Sequence, residues 1–528
     1  MKNYIFLLLA SFTFSVAQSQ EIPDAIRYAQ DNLNGTARFR AMSGAFGALG
    51  GDLSSINVNP AGSAVFANNQ LTITLSTFNT KNDSNYFGTN TSASDNSFDM
   101  NQTGGVFVFK NQNPTSDWKK FSMAINYENM NNFDNSVFSA GTNPTNSMDG
   151  YFLYYANTGN GGSPVPQEFV NRNVGESINE LYSYLGNSFP NEQYPELSGF
   201  AAQQAMIAFY NQGYIIDAAD LNNPNSTYVS NVTPGGNYHQ ENSIYSNGYN
   251  GKLSFNAATS YKDKLYLGIN LNSHFTDFTQ STSFYESNNN PVNTDYTVKS
   301  LRFDNSLYTY GTGFSFQIGA IAKVTNEIRL GLAYDSPIWY NLSDEFSQKL
   351  VAVSANSIEV LSPDVVDPNI INYYAPYQLD APGKFTGSFA YVFGKTGLIS
   401  IDYSIKDYGN TQFRPENDPY YRDTNNQMSN TLATSGELRI GGEYKIKEWS
   451  LRGGYRFEES PYKNGTTVGD LNSFSGGLGY NFGAFKMDFS YSNAQRNSQQ
   501  GFFNQGFTDG ARINRTNNNF SMTLLFEM

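Results

Sequence analysis

Cysteine is wholly absent from this chain of 528 residues. That absence excludes a disulfide-stapled secreted module, an acylated lipoprotein, a thiolate metal site and a cysteine nucleophile. Long apolar runs are missing too, since nothing beyond the first residues reaches the roughly 20 apolar positions of a transmembrane helix. A helical membrane protein is thereby excluded. Positive charge is scarce, with 32 Lys+Arg against 46 Asp+Glu and a net charge of −14, which argues against nucleic-acid partners. Catalytic signatures are lacking as well: no GxSxG, HExxH or paired-carboxylate motif occurs. The neighbours Ser273 and His274 point to opposite faces of any continuous strand, so they cannot act as nucleophile and base. Asp217, Asp220, Asn222 and Asn225 imitate a calcium loop, but their spacing is irregular and its glycine is missing. The reading is therefore of a protein that is not an enzyme and carries no cofactor or metal.

What is present is aromatic and alternating. Phe 41, Tyr 37 and Trp 3 make 15% of a chain whose mean hydropathy is −0.48. Outer-membrane barrels have this composition because aromatic girdles sit at both bilayer interfaces while lumen and loops stay polar; a large extracellular β-sandwich or propeller is the alternative. Lys2, an apolar run from Ile5 to Phe14 and small residues at Ser15, Ala17 and Ser19 read as an export signal over 1–19, cut between about Ala17 and Gln20. From Gln70 onward the period is two. Leu265, Leu267, Ile269 and Leu271 oppose Tyr266, Gly268, Asn270 and Asn272, and the same alternation returns over 399–406 and 438–446.

Short breaks at 111–117, 262–263, 325–326, 394–396, 447–448 and 483–484 interleave with long polar stretches near 80–101, 130–248, 277–305, 337–383, 410–433, 459–472 and 494–516. Such interleaving requires about fourteen strands in an up-and-down antiparallel transmembrane barrel over 67–528, with both chain ends on the short-turn side. The stretch at about 130–248 is too long to be structureless. Val170, Val174, Ile178, Leu181 and Leu185 recur at helical spacing, and FAAQQAMIAFY over 200–210 predicts a second helix, so a partly helical extracellular cap is expected.

Ahead of the strands stands a misfit, AMSGAFGALGGDLSSINVNPAGSAVF over 41–66, small and glycine-rich. A compact segment at 20–66 before a barrel suggests a hatch inside it. Gly44, Gly47, Gly50 and Gly51 permit positive φ and close backbone approach, which suits a plug in a narrow lumen; as a nucleotide fingerprint their spacing is wrong. Arg38 and Arg40, if buried there, need carboxylates, because unpaired buried charge is very costly. Asp402, Glu443, Glu458 and Asp488 are candidates on inward strand faces. The pairs read either as fixed bridges or as a latch released by an acidic or amphipathic ligand.

The signal, the plug ending in Asn59-Pro60-Ala61-Gly62 and the fourteen strands together resemble the FadL/TodX/OmpP1 family of outer-membrane transporters for hydrophobic compounds. The opening AIRYAQDNLNGTARFRAMSGAFGALGGDLSSINVNPAG and the tail LRGGYRFEESPY…FSGGLGYNFGAFKMDFSYS look like its Bacteroidetes branch, often labelled hemin receptor. The resemblance implies a Gram-negative outer-membrane barrel with a hatch, capture at the outer loops and sideways release, with Asn59, Pro60 and Ala61 at the hatch end. It also implies passive uptake of hydrophobic or amphipathic molecules (fatty-acid-like, aromatic or heme) through a lumen with apolar pockets. Outer-membrane lipid and lipopolysaccharide would surround it, as a monomer.

Candidate ligand residues are Arg439, Arg452 and Arg456, which face inward and could hold a carboxylate or propionate, and Phe200, Met206 and Phe209 in the cap. Structural ladders across the lumen are the competing explanation for the three arginines. Heme held by a histidine pair would need His239 and His274 to meet, which their positions oppose. A non-transport role is the rival reading, as a secretion-system or surface-attachment barrel whose outer loops bind exported proteins.

Overall fold

The computed structural model describes residues 20–209, 214–499 and 501–528. The export signal expected over 1–19 and Tyr210 lie outside the described residues. Alternating residues close one antiparallel ring of 14 strands. In chain order these are β1 Gln70–Tyr86, β2 Thr89–Lys110, β3 Trp118–Asn132 continued by Asn135–Asn143, β4 Tyr238–Tyr261, β5 Leu265–Ser287, β6 Thr297–Lys323 and β7 Ile328–Asp335 continued by Ile338–Ala355. They continue with β8 Tyr377–Ala381 and Lys384–Phe393, β9 Gly397–Asp407, β10 Thr434–Ile446, β11 Trp449–Glu458, β12 Val468–Asn481, β13 Phe485–Gln499 and β14 Arg512–Glu527. The ring closes where β1 pairs with β14, from Gln70 against Glu527 to Asn85 against Arg512, so no edge remains exposed.

The period-two pattern separates the two faces as expected. Leu267, Ile269 and Leu271 are exposed outward, whereas Tyr266, Asn270 and Asn272 are buried inward. Aromatic pairs frame the apolar band: Trp118 against Tyr261 and Trp449 against Tyr480 near the short turns, Tyr127 against Phe275 and Tyr308 against Tyr310 toward the other end.

Strands run farther than composition suggests. The stretch 80–101, expected as a loop, is a tall hairpin turned at Phe87-Gly88, both at positive φ. Its Asn, Ser and Thr residues resemble loop chemistry, yet cross-strand amide bonds hold them in the ladder, as where Asn85 Nδ2 donates to Asn90 Oδ1 at 2.7 Å. Likewise β5, β6 and β7 extend well into the stretches expected as loops, reaching Ser287, back to Thr297 and up to Ala355.

Within 130–248, strand pairing continues to Asn143 and resumes at Tyr238, leaving 144–237 as the cap. It contains α-helices Asp149–Thr158, Gln167–Val170, Ile178–Ser188 and Gly199–Phe209. Val174 belongs to none of them and is fully exposed, so its helical spacing was coincidental. The cap sits in the barrel mouth, not above it: Phe152, Leu185, Met206 and Phe209 share one core with Phe284, Leu301, Phe303 and Leu350 from inward strand positions.

Candidate functional site

The lumen is filled from both ends, and the lower filling is residues 20–66. A helix, Ile22–Ala29, begins high in the lumen, where Gln20 Nε2 donates to Asp344 (2.8 Å) and Tyr420 Oη to the Gln20 carbonyl (2.7 Å). The chain then descends through a second short helix, Ala37–Ala41, capped by the Thr36 hydroxyl. Two 3₁₀ turns follow, Leu53–Asn57 and Pro60–Val65, capped by Asp52 and Asn59. The Phe66 carbonyl accepts from Lys120 Nζ at 2.7 Å, and β14 ends beside Asn69 on the same short-turn side.

Each hatch residue singled out by sequence has a physical place. Gly44, Gly50 and Gly51 lie at positive φ, which no other residue adopts cheaply. Gly47 serves close approach instead: a Cβ there would stand 2.1 Å from Ser388 Oγ. Asn59 Nδ2 donates to the carbonyls of Gly47 (2.8 Å) and Ala320 (3.0 Å), while its Oδ1 accepts from Ala61 N (3.1 Å). The Pro60 carbonyl accepts from Asn256 Nδ2 at 2.9 Å, and Gly62 packs against Gly50. The motif is thus the joint between hatch and wall.

The wall answers with glycines of its own. A Cβ on Gly268 or Gly319 would meet Pro60 O at 2.4 Å or Asn59 Oδ1 at 2.1 Å, and one on Gly331 would meet Gly47 O at 2.3 Å. On another arc of the wall, a Cβ on Gly441 would stand 2.5 Å from Met42 O, and one on Gly454 2.6 Å from Ser43 N. All five wall seats escaped the sequence reading, although inward parity and strand register together would have marked them.

Charge fixes the hatch as well. Arg38 grips Glu443 with both Nε (2.8 Å) and Nη2 (3.2 Å), and Glu443 also receives Arg452 Nε at 2.8 Å. Of the four expected carboxylates, Glu443 alone takes a hatch arginine. Asp488 pairs with Arg452, Glu458 with Arg456 and Arg496, and Asp402 accepts from Gly47 N at 2.9 Å.

Arg40 departs from expectation. It is 1% exposed with no carboxylate partner among the described residues, donating to Ser76 Oγ at 3.3 Å and to the Asn519 side-chain oxygen at 3.1 Å and lying over the Phe78 ring. Burial pulls its guanidinium down to about 10. Sequence missed Asp31, which bridges Lys384 (3.1 Å) and Lys406 (3.0 Å). Burial pushes its carboxyl upward, but the two ammonium groups outweigh that and hold it well below the usual range.

Between the helix Ile22–Ala29 and the lower hatch lies a cavity of about 90 Å³, lined by Asp31, Glu128, Lys252, His274, Lys384 and Arg439 among others. Apolar lumen pockets were expected; this one is charged, because inward strand faces carry the polar half of the alternation. Lys252 is 5% exposed and has no ion pair among the described residues.

Arg439 is held by Glu437 at 2.8 Å, and Arg456 by Glu437 and Glu458. All three candidate ligand arginines are therefore already paired with carboxylates. Met206 and Phe209 are buried in the cap's own core, and Phe200 leans on Tyr155 and Phe346, so none of the three lines this cavity.

The histidines stand thirteen strand residues apart by register, roughly 40 Å at about 3.3 Å per residue, so they cannot ligate one heme together. His239 pairs with Glu241, and His274 Nε2 meets Ser315 Oγ at 2.8 Å, a serine on the next strand and not its neighbour Ser273.

A closed 14-strand ring with aromatic girdles, an outward apolar band and a folded plug defines an outer-membrane β-barrel channel. The profile of the family described as outer membrane protein transport protein (OMPP1/FadL/TodX) matches residues 224–519, more than half the chain, and the protein belongs to that family. The matched span leaves out the hatch.

Among solved structures, a FadL homologue of Pseudomonas aeruginosa is 12% identical with a TM-score of 0.52, over 94% of this chain and 99% of that one. The toluene transporter TodX of Pseudomonas putida is 12% identical with a TM-score of 0.48, over 95% and 100%. The toluene transporter TbuX of Ralstonia pickettii is 14% identical with a TM-score of 0.46, over 94% and 99%. The first likeness shows a shared fold, and at that identity the fold alone. No curated protein sequence matches the chain.

Proposed function

We propose that the barrel carries hydrophobic or amphipathic small molecules inward across the outer membrane by diffusion, without covalent chemistry, through a lumen that the hatch opens and shuts. The long-loop end faces the exterior and the short turns the periplasm. One observation carries this reading: the lumen is closed twice, by the cap in its mouth and by the hatch on its glycine seats, and the cavity that the hatch and the wall enclose is only about 90 Å³. A passive channel so closed works only if a filling moves. The hatch is the part held by reversible bonds, at Arg38, Asp31 and Asn59.

The preferred solute is an amphipathic molecule with an anionic head, fatty-acid-like in kind. Lys252 supports this, as a buried ammonium beside the cavity with no ion pair among the described residues. Uptake of a labelled long-chain fatty acid into cells with and without the protein tests the reading. Equal uptake would remove it.

The attachment reading keeps one observation of its own. Ile358, Val360, Val365 and Tyr373 are exposed together on the outer loop 356–376, at 84%, 70%, 50% and 71%. Capture of exported proteins by the purified barrel, lost when these four become serine, would favour that role.

A further inference from the structure

One pair of residues in the lumen departs from the charge matching around it. Register sets Glu128 on β3 directly opposite Lys252 on β4, both facing inward and buried, at 4% and 5% exposure. Opposite charges facing each other across neighbouring strands stand close enough to join. Both line the cavity between hatch and wall, yet among the described residues neither makes an ion pair, with the other or elsewhere. Glu128 is turned to the hatch instead: a Cβ on Gly35 would stand 2.6 Å from its Oε1.

Every other lysine, arginine and carboxylate of that lining is matched. Asp31 takes Lys384 and Lys406, Asp335 takes Lys384 at 3.5 Å, and Arg439 takes Glu437. Two opposite charges are left over, buried and apart, an arrangement that is strongly unfavourable unless something completes it. Uncharged atoms of the same lining also lack a partner among the described residues: His274 Nδ1 and Asn272 Oδ1 from the wall and Asn57 Nδ2 from the hatch. Buried polar groups are rarely left so.

Size and charge together select the occupant. At about 90 Å³ the cavity has room for roughly six to nine water-sized spheres of about 10–15 Å³ each, so a molecule with about as many heavy atoms fits and a long acyl chain does not. An anion alone would answer Lys252 and leave Glu128 bare, and a cation alone the reverse. A molecule carrying both signs answers both. Because the two residues face each other across a single strand gap, its charges must lie close together.

We propose that this cavity is a binding site for a small α-amino acid in its zwitterionic form, with the ammonium at Glu128, the carboxylate at Lys252 and a short aliphatic side chain against Leu33 and Val58. The occupant touches both sides of the seam, since Leu33 and Val58 belong to the hatch and Glu128 and Lys252 to the wall. The site is complete only while the hatch is seated, so by linkage its ligand holds the hatch shut. Such a ligand is an effector of the closed barrel and not its cargo.

Hydrogen exchange of the hatch amides over 31–58, in the full-length barrel with and without millimolar L-alanine, reads it out. L-alanine should slow exchange about tenfold, whereas acetate and methylammonium, its two ionic halves, should each change it by less than about twofold at the same concentration. Glu128→Gln and Lys252→Met should each remove the slowing. If neither variant folds, the three ligands on the wild type decide alone. No slowing by L-alanine would mean that the cavity holds water only, and equal slowing by acetate would make it a plain anion site; either result overturns the proposal, as does undiminished slowing in the folded variants. Fatty-acid uptake is a separate readout: slowed exchange on a barrel that moves no fatty acid would leave the proposal standing, and uptake without slowing would remove the proposal alone.

Discussion

Hatch and cap both fill the lumen, but they are attached to the wall by different physics. The cap shares an apolar core with inward residues of β5, β6 and β7, so removing it would expose buried Phe, Leu and Met side chains to water. The hatch touches the wall through backbone on glycine seats, through carbonyls that accept from Asn256, Asn270 and Gln317, and through ion pairs. In the lower hatch one apolar cluster is mostly its own, Phe39, Met42, Phe46 and Leu49, whereas the helix Ile22–Ala29 shares a core with Tyr340, Leu379, Phe413 and Met428 of the wall and outer loops. Hydrogen bonds exchange with water at a net cost of about 1 kcal/mol each, whereas burying a Phe or Leu contributes about 1.5–3 kcal/mol that water does not return. Of the two fillings, the lower hatch is the one whose attachment to the wall is mainly polar and reversible.

The largest expected effect comes from filling a seat. Gly268→Val puts atoms where Pro60 O now stands, and overpacking of this kind costs about 1–3 kcal/mol when a side chain must yield, more when it is backbone. The hatch should leave while the ring persists, and because the cap still fills the mouth, single-channel conductance in planar bilayers should open only when Gly268→Val is joined by Phe209→Ala. A folded double variant that stays closed would contradict the double closure.

The cap provides the contrast. Phe209→Ala should destabilise it by about 3–5 kcal/mol, seen as rapid protease cleavage within 144–237, with conductance still closed.

Next comes Arg38→Ala, which takes one of two arginines from Glu443. Because Arg452 stays in place, the loss should be about 1.5–3 kcal/mol of hatch docking, visible as faster amide exchange over 36–66 while heat-stability of the ring holds.

The smallest effect, because the side chain is only half-buried and solvent screens it, concerns Glu21, beside Asn504 at the top of the hatch. Burial and then Asp24 push its carboxyl from 4.5 to about 8. The docked helix thus binds the proton more tightly than the released one, so docking is strongest below pH 4.5 and weakens as pH rises toward 8. Amide protection over 22–29 should fall across that interval, and Glu21→Gln should flatten the dependence.

Much of this architecture was legible because β-barrels write it in a period of two. The lipid face of β5 and the short turns follow from residues in order, and the special status of Asn59-Pro60-Ala61 from the family resemblance. What was hidden depends on register. Of 46 glycines, only pairing across strands separates Gly441 and Gly454, which receive the hatch, from Gly442 and Gly453, which face outward. Arg40 misled because a buried cation demands a carboxylate only when its neighbours cannot share the burden, and here a hydroxyl, an amide oxygen and an aromatic face take its place. The 80–101 stretch misled because its outward face meets water and its inward face is buried through small polar residues, Asn82 on Asn135 and Ser84 on Ser139, so both faces have the composition of a loop.

The central claim is that solutes pass only when the hatch leaves its seats. Ser43 Oγ and Ser475 Oγ lie 2.7 Å apart across the joint between hatch and wall, and the chain has no cysteine to interfere. Ser43→Cys with Ser475→Cys would tie the hatch to β12 by a disulfide, and fatty-acid uptake can be followed in the same cells before and after a reductant. The account predicts uptake abolished while the tether is oxidised and restored on reduction; uptake at the wild-type rate with the tether intact would contradict it.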